Sequence, residues 1–263
     1  MESLLEKIVV NTEKTARNTE PKTSFYILIS EISTHIRTKF RPLIELDTRK
    51  TFEVALVNLE TYFSFPNVDD SNNNFRYSPD NGVTWFNIEI PVGSYEINDI
   101  NDFLQQKMRD RLHYDLSADR HNITLSANNN TLDSVLDIAQ NYRVDFTAPN
   151  SIRTILGFNA KVYLSGTNES ENIVNILTVT SLRITSDIIG SSYSNGSAEN
   201  IIYSFFPNVS PGYKIIEVPT NLVYLPITTS TISSMETRLV DQTGNLVNLR
   251  GEELSIRFHI RKV

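Results

Sequence analysis

The chain closes on its clearest pattern. Between Asp241 and Arg261 a turn leads into strict alternation, with Leu254, Ile256, Phe258 and Ile260 on one face and Ser255, Arg257, His259 and Arg261 on the other. Period two of this kind predicts a strand with one side on a core and the other facing water or a partner. Segments 24–31, 35–46 and 51–65 are also β-like, rich in Ile, Val, Phe and Tyr. In the third, Phe52, Val54 and Leu56 share a face with Asn58, while Ala55, Val57 and Leu59 occupy the other. A strand apolar on both faces must be covered on both sides. Downstream, Ser78-Pro79-Asp80-Asn81-Gly82 predicts a turn, because Pro presets one φ and Asn-Gly supplies positive φ. It joins strands at 74–78 and 83–90, and in the second Phe86, Ile88 and Ile90 alternate with Asn87 and Glu89.

Helical periodicity interrupts the strands. Over 99–112 the residues Ile100, Phe103, Leu104, Met108 and Leu112 fall on one face, with Asn98 or Asp99 placed to cap the start. This helix is the candidate cover for the doubly apolar strand. A weaker helical stretch is expected over 131–139, short strands at 122–127 and 142–147, and a helical turn from Ser151 to Gly157. Strands are then expected near 161–165, 173–185, 200–206, 213–218, 222–227, 235–241, 245–249 and 253–262, divided by Pro- and Gly-marked turns. Many short strands with few helices predict an all-β sandwich or barrel. Leu4, Leu5, Ile8 and Val9 place one apolar stripe on the otherwise polar residues 1–22. That stretch reads either as a frayed terminus or as an arm that orders on a neighbouring subunit. With no repeat, linker or composition break, residues 23–263 read as one domain.

Composition narrows the function classes. The formal charge of -7 argues against a chain whose main task is coating nucleic acid. Zero Cys removes disulfides, thiolate metal sites and cysteine nucleophiles together. The longest early apolar run, Phe25 to Ile29, is too short for a membrane span or a signal-peptide core, so the chain reads as soluble and made in the cytosol. Five N-x-S/T sequons are what 27 Asn and 50 Ser plus Thr give by chance, so they carry no information.

No motif brings chemistry with it. The four His, at 35, 113, 121 and 259, include no pair at the i, i+4 spacing of a helical zinc site. No nucleophile elbow occurs; Gly190-Ser191-Ser192-Tyr193 lacks the second Gly. Phosphate-binding glycine loops are absent. Asp69-Asp70-Ser71-Asn72 offers oxygens to Ca²⁺ but lacks the Gly and closing Glu of an EF-hand loop. No cofactor is expected and the chain does not read as an enzyme, although a glycosidase needs only two carboxylates across a cleft. Arg250, Arg257, His259, Arg261 and Lys262 form the one notable charge asymmetry. They read as the wet face of a terminal strand or as a surface for an acidic partner or packaged nucleic acid.

Several stretches together carry a resemblance. Phe52 to Asn67, Tyr77 to Trp85, Gly93 to Asn101, Ser192 to Ser197, Ile201 to Pro207, Pro211 to Glu217 and Asp241 to Arg261 resemble the penton (minor capsid) proteins of Polinton/Maverick elements, adintoviruses and virophages. The likeness spans roughly residues 50–262 and rests on core and turn positions. It implies an antiparallel jelly-roll β-sandwich, with one or two short helices inserted, forming a homopentamer at an icosahedral vertex. Implied with it are a place in the virion, synthesis in the host cytoplasm with assembly there or in the nucleus, the major capsid protein as partner, and weak contact with packaged nucleic acid. Two jelly rolls of a hexon-forming capsid protein would strain this length, which favours one. A ring needs unlike flanks meeting, and Tyr62, Phe63, Phe65, Phe205 and Phe206 are candidate anchors, with Arg250, Arg257 and Arg261 beside them. The alternative is a lectin-like carbohydrate- or receptor-binding jelly roll with Trp85 exposed in a groove.

Overall fold

The computed structural model describes residues 24–116, 120–190, 192–194 and 196–263, and the arm expected over 1–22 lies outside them. Three long strands come first: β1 (Ser24–Glu31), β2 (His35–Glu45) and β3 (Phe52–Tyr62). Then follow β4 (Asn74–Ser78), β5 (Phe86–Glu89), α1 (Ile97–Asp110), β6 (Tyr114–Asp115), β7 (Arg120–His121), β8 (Ile123–Asn128) and β9 (Asp133–Ile138). Next are β10 (Arg143–Asp145), α2 (Arg153–Leu156), β11 (Val162–Tyr163) and β12 (Gly166–Glu169). The last stretch holds β13 (Leu182–Ser186), β14 (Ser192–Ser194), β15 (Ser197–Glu199), β16 (Ile201–Phe205) and β17 (Lys214–Glu217), then β18 (Leu225–Pro226), β19 (Thr231–Val240) and β20 (Leu254–Lys262).

These elements divide into two compact units, one of Met1–Phe65 with Val179–Val263, the other of Pro66–Thr178. No composition break marks either junction, because both units are written in the same grammar of short amphipathic strands around an apolar cluster.

In the first unit β1-β20-β3-β17 form one sheet, with β18 also on β3, and β16-β13-β19-β2 form the other. Eight strands carry this frame when the β14–β15 hairpin and β18 are set aside. In their chain order the sheets read 1-8-3-6 and 5-4-7-2, and every connection but the fourth-to-fifth crosses between sheets. That is the jelly-roll order, as the resemblance implied. Both inner faces fill a single cluster. The alternation of β20 appears as expected, with Leu254, Ile256, Phe258 and Ile260 buried and Arg257 exposed.

The doubly apolar strand has a different explanation from the one expected. The β20–β3 register slips between Arg257 and Phe258, which face Asn58 and Leu56 and leave Val57 unpaired as a bulge. Before the bulge Phe52, Val54 and Leu56 point into the core; after it Leu59 and Phe63 do. One extra residue flips the alternation, so the large apolar side chains on both sides of the bulge serve one face, and of the opposite face only Ala55 is fully buried. α1 is not the cover: its buried Ile97, Ile100, Leu104 and Met108 belong to the second unit's cluster, where the helix packs on β8.

The second unit holds the sheets β11-β10-β4-β5 and β12-β9-β8 and the β6–β7 hairpin. Its centre is aromatic: Phe146 stacks on Phe158 at 5.2 Å and meets Tyr163 at 5.5 Å and Phe75 at 5.9 Å, edge to face. α1 starts earlier than expected, where the Glu96 N–H donates to the Asp99 carboxylate at 2.9 Å. It stops at Asp110, and Leu112, counted on its apolar face, has φ 60 and is exposed. Residues 131–139 are not helical. Leu132 has φ 62, which ends any helix there, and Ser134, Leu136 and Ile138 alternate inward as β9 between β8 and β12. Residues 245–249 form only a bridge from Leu246 to Val240, and the 173–185 segment becomes a strand from Leu182 on.

Candidate assembly surface

One edge of the five-stranded sheet is built unlike the others. β3 pairs along that edge twice, with β17 from Leu59 to Tyr62 and with β18 at Glu53 and Val54. Between the two, residues 218–224 leave the sheet, and Pro219 turns into the interior. The alternation of β17 puts Ile215 in the core and Ile216 outside. Along this flank Tyr213, Ile216, Val218 and Val223 are each 59–68% exposed, with Leu222 and Tyr62 beside them near 40%. An ion pair between Lys214 and Glu60 at 2.6 Å crosses the outer face. Among the described residues β17 pairs with β3 alone, so its outer edge presents open backbone groups next to the apolar side chains. Runs of exposed large apolar residues on a soluble chain mark contact surfaces.

The expected anchors separate into two groups. Phe63 and Phe65 stack at 4.1 Å and lie in the core, as does Phe205. They hold the sandwich together and have little surface left to offer. Tyr62 is exposed on the β17 flank and Phe206 is 72% exposed just past β16. The residues that sequence reasoning missed are Tyr213, Ile216, Val218 and Val223. Only part of their signal was present: Ile216 is an outward apolar position of β17 next to outward Lys214, whereas Tyr213, Val218 and Val223 lie outside the strand.

The expected basic cluster does not gather. Arg250 lies in the loop before β20 with φ 53, its N–H bonded to Asn248 Oδ1 at 2.9 Å. Arg261 lies some seven strand positions beyond the start of β20, roughly 23 Å away. It pairs with Glu53 at 2.9 Å and lies 3.5 Å over the ring of Tyr224. The Tyr224 hydroxyl meets His259 Nδ1 at 2.7 Å, and Tyr26 stacks on the same imidazole at 4.7 Å. Burial, reinforced by Arg261, holds the His259 pKa below its usual value, so the ring stays neutral at physiological pH. Arg257 is exposed at mid-strand. A more concentrated run of cations lies on the other sheet, where Arg37, Lys39 and Arg41 alternate with buried Ile36, Thr38 and Phe40.

The other candidate chemistries meet ordinary structural duties. His113 Nδ1 lies 2.7 Å from the hydroxyl of buried Tyr77, and His121 packs edge-on against Tyr114 at 4.8 Å. The Asp69–Asn72 turn closes on itself, with Ser71 N–H and Oγ both donating to Asp69 Oδ1. Trp85 is half-buried under the Arg76 guanidinium at 5.1 Å, which in turn pairs with Asp145. Among the described residues no group of three or more His, Asp or Glu could hold a metal, and no helix is long and apolar enough to cross a membrane. A shallow groove of about 330 Å³ between Ile32–Thr34 and Leu246–Glu252 holds one carboxylate, Glu252.

No protein-family model matches the chain, and no curated protein does. Among solved structures it is similar to the mavirus penton protein. That crystal structure, of selenomethionine-labelled protein, aligns with a TM-score of 0.49 and 9% identity over 91% of this chain and 100% of that one.

Proposed function

We propose that the chain is a structural capsid subunit, a penton-type protein whose copies close into a five-membered ring at a vertex of an icosahedral virion. Supporting this are the jelly-roll order of the first unit and the resemblance carried by the core and turn residues. The observation that carries it is the apolar flank from Tyr213 to Val223 along an open sheet edge. Jelly rolls host many functions, so the reading rests on that surface and not on the fold. A ring of identical subunits needs one flank to fit a different one on the next copy, and this edge supplies one of the two. The second unit is then an insertion between the third and fourth jelly-roll strands, and residues 24–263 serve as one subunit. The ring's further partner is the major capsid protein of the same particle.

Sedimentation velocity and negative-stain electron microscopy of the purified chain test the reading. A five-fold ring, alone or on addition of the capsid partner, is expected. Ile216→Asp should dissolve it without lowering the melting temperature by more than a few degrees. A monomer at high concentration, unchanged by the capsid partner, would remove the proposal.

A further inference from the structure

The outward face of the four-stranded sheet carries a field of cations that no ring contact requires. On β2, Arg37, Lys39 and Arg41 are exposed at every second position, about 6.7 Å apart along the strand. β19 lies beside them in register, Lys39 opposite Ser234, Arg37 opposite Glu236 and His35 opposite Arg238. Arg183 lies outward on β13, beyond β19. Of the four anions on and beside this face, Glu236 and Glu199 are ion-paired, while among the described residues Asp187 and the exposed Glu45 at the end of β2 have no ion pair. Glu236 sits between His35 at 3.0 Å and Arg37 at 2.5 Å, Glu199 meets Arg183 at 3.5 Å, and the Asp187 carboxylate accepts the Glu236 N–H at 2.9 Å. Among the described residues Lys39, Arg41 and Arg238 have no ion pair, and the Arg238 Nε is buried without an acceptor. In a chain of net charge -7 this is a local reversal of sign.

We infer that this face binds the phosphodiester backbone of double-stranded nucleic acid, without reading its sequence. The occupant follows from what the surface lacks. Leu43, beyond Arg41, is the one large apolar side chain exposed on β2 and none is exposed at the outward positions of β19 and β13, so an acidic protein partner would find charges but no apolar cluster to anchor on. A duplex needs only spaced cations, because its affinity comes from counterions released as phosphates are neutralised. The three cations without an ion pair, each meeting one phosphate, give a salt slope of about -2.7. The inference goes beyond the ring and stands without it.

Fluorescence anisotropy with a random-sequence duplex of about 25 base pairs, at salt from about 50 to 200 mM, is the test. Wild type should bind with that slope. Lys39→Gln with Arg41→Gln should bring the slope to about -0.9, and Lys39→Glu with Arg41→Glu should weaken binding at least tenfold. Arg257→Ala, on the other sheet, should change neither. All three variants alter exposed positions, and a circular-dichroism melt matching wild type confirms that each folds. No wild-type binding, undiminished binding by the folded charge-reversed variant, or capture of polyglutamate in place of the duplex would each overturn the inference. Sedimentation of the same samples reads the ring separately.

Discussion

Gly157→Ala should cripple the second unit while leaving its composition almost untouched. Gly157 ends α2 with φ 80, and its carbonyl accepts the Asn172 N–H at 3.0 Å and Asn172 Nδ2 at 3.1 Å. A Cβ there would press into the Asn172 carbonyl oxygen, well inside van der Waals contact, and stand 3.0 Å from its carbon. The obstacle is backbone and cannot rotate away. Moving it strains the bond from Ser170 Oγ to the Asn172 carbonyl at 2.9 Å and with it the bond from Ser134 N–H to Ser170 Oγ at 3.0 Å. Left-handed φ costs an alanine about 1 kcal/mol. Two or three weakened hydrogen bonds add about 1 kcal/mol each, giving about 3–4 kcal/mol in all. For a unit of roughly a hundred residues that lowers the melting temperature by about 10–20 °C. The only Trp in the chain, Trp85, lies in this unit, so its fluorescence reports the transition selectively. A Trp85 midpoint within about 3 °C of wild type would refute the close approach of residues 157 and 172.

The carboxyl of Glu171 resists ionisation through burial, but hydrogen bonds from Lys161, Tyr163 and the Asn159 N–H outweigh this and hold its pKa at about 2. A depressed carboxylate stabilises the fold above its unfolded pKa and loses that contribution as pH falls towards 2. Denaturant midpoints by Trp85 fluorescence should therefore fall more steeply between pH 5 and 2 in wild type than in Glu171→Gln. The difference should be on the order of 1 kcal/mol after solvent screening, and parallel curves would rule out the linkage. Phe63→Ala should lose about 3–5 kcal/mol of stability, as core aromatics do. Tyr62→Ala and Phe206→Ala should cost less than about 1 kcal/mol in monomer stability but weaken assembly. Thermal melts paired with mass photometry check this, and a stability loss at Tyr62 as large as at Phe63 would contradict the division.

What the sequence disclosed depended on whether the deciding interaction was local. β20 was legible because alternation fixes a strand's faces without reference to its neighbours, and α1 because its apolar stripe and acidic first turn are local. β3 was misread because a bulge is set by register against β20, which no single strand encodes. Residues 131–139 carry apolar positions compatible with either period, and pairing with β8 and β12 settled them as a strand. The two units were hidden because an insertion with its own apolar cluster resembles its host in composition. For the surface, aromatic identity pointed to five positions, but only depth in the fold separates Phe63, Phe65 and Phe205 from Tyr62 and Phe206. The basic run on β2 was visible as alternation yet masked by the negative total, because net charge says nothing about local sign.

Geometry also constrains which flank meets the apolar one. Among the described residues the two sheets of the first unit end in four edge strands, β1, β17, β16 and β2. β2 is lined by Lys39 and Arg41 and would bring charge onto apolar surface, and the β14–β15 hairpin lies against β16. That leaves β1, whose outward Tyr26 is 49% exposed, as the flank opposite β17. In a closed ring Tyr26 of one copy should then approach Ile216 of the next. The absence of Cys makes this directly testable, since cysteines placed at both positions are the only thiols in the chain. Tyr26→Cys with Ile216→Cys, treated with a short thiol-to-thiol crosslinker, should give a denaturing-gel ladder that stops at five. Either single variant should give no more than dimers, because one thiol per chain can join only two chains. A ladder as strong from Lys39→Cys paired with Ile216→Cys would mean that β2, and not β1, receives the apolar flank.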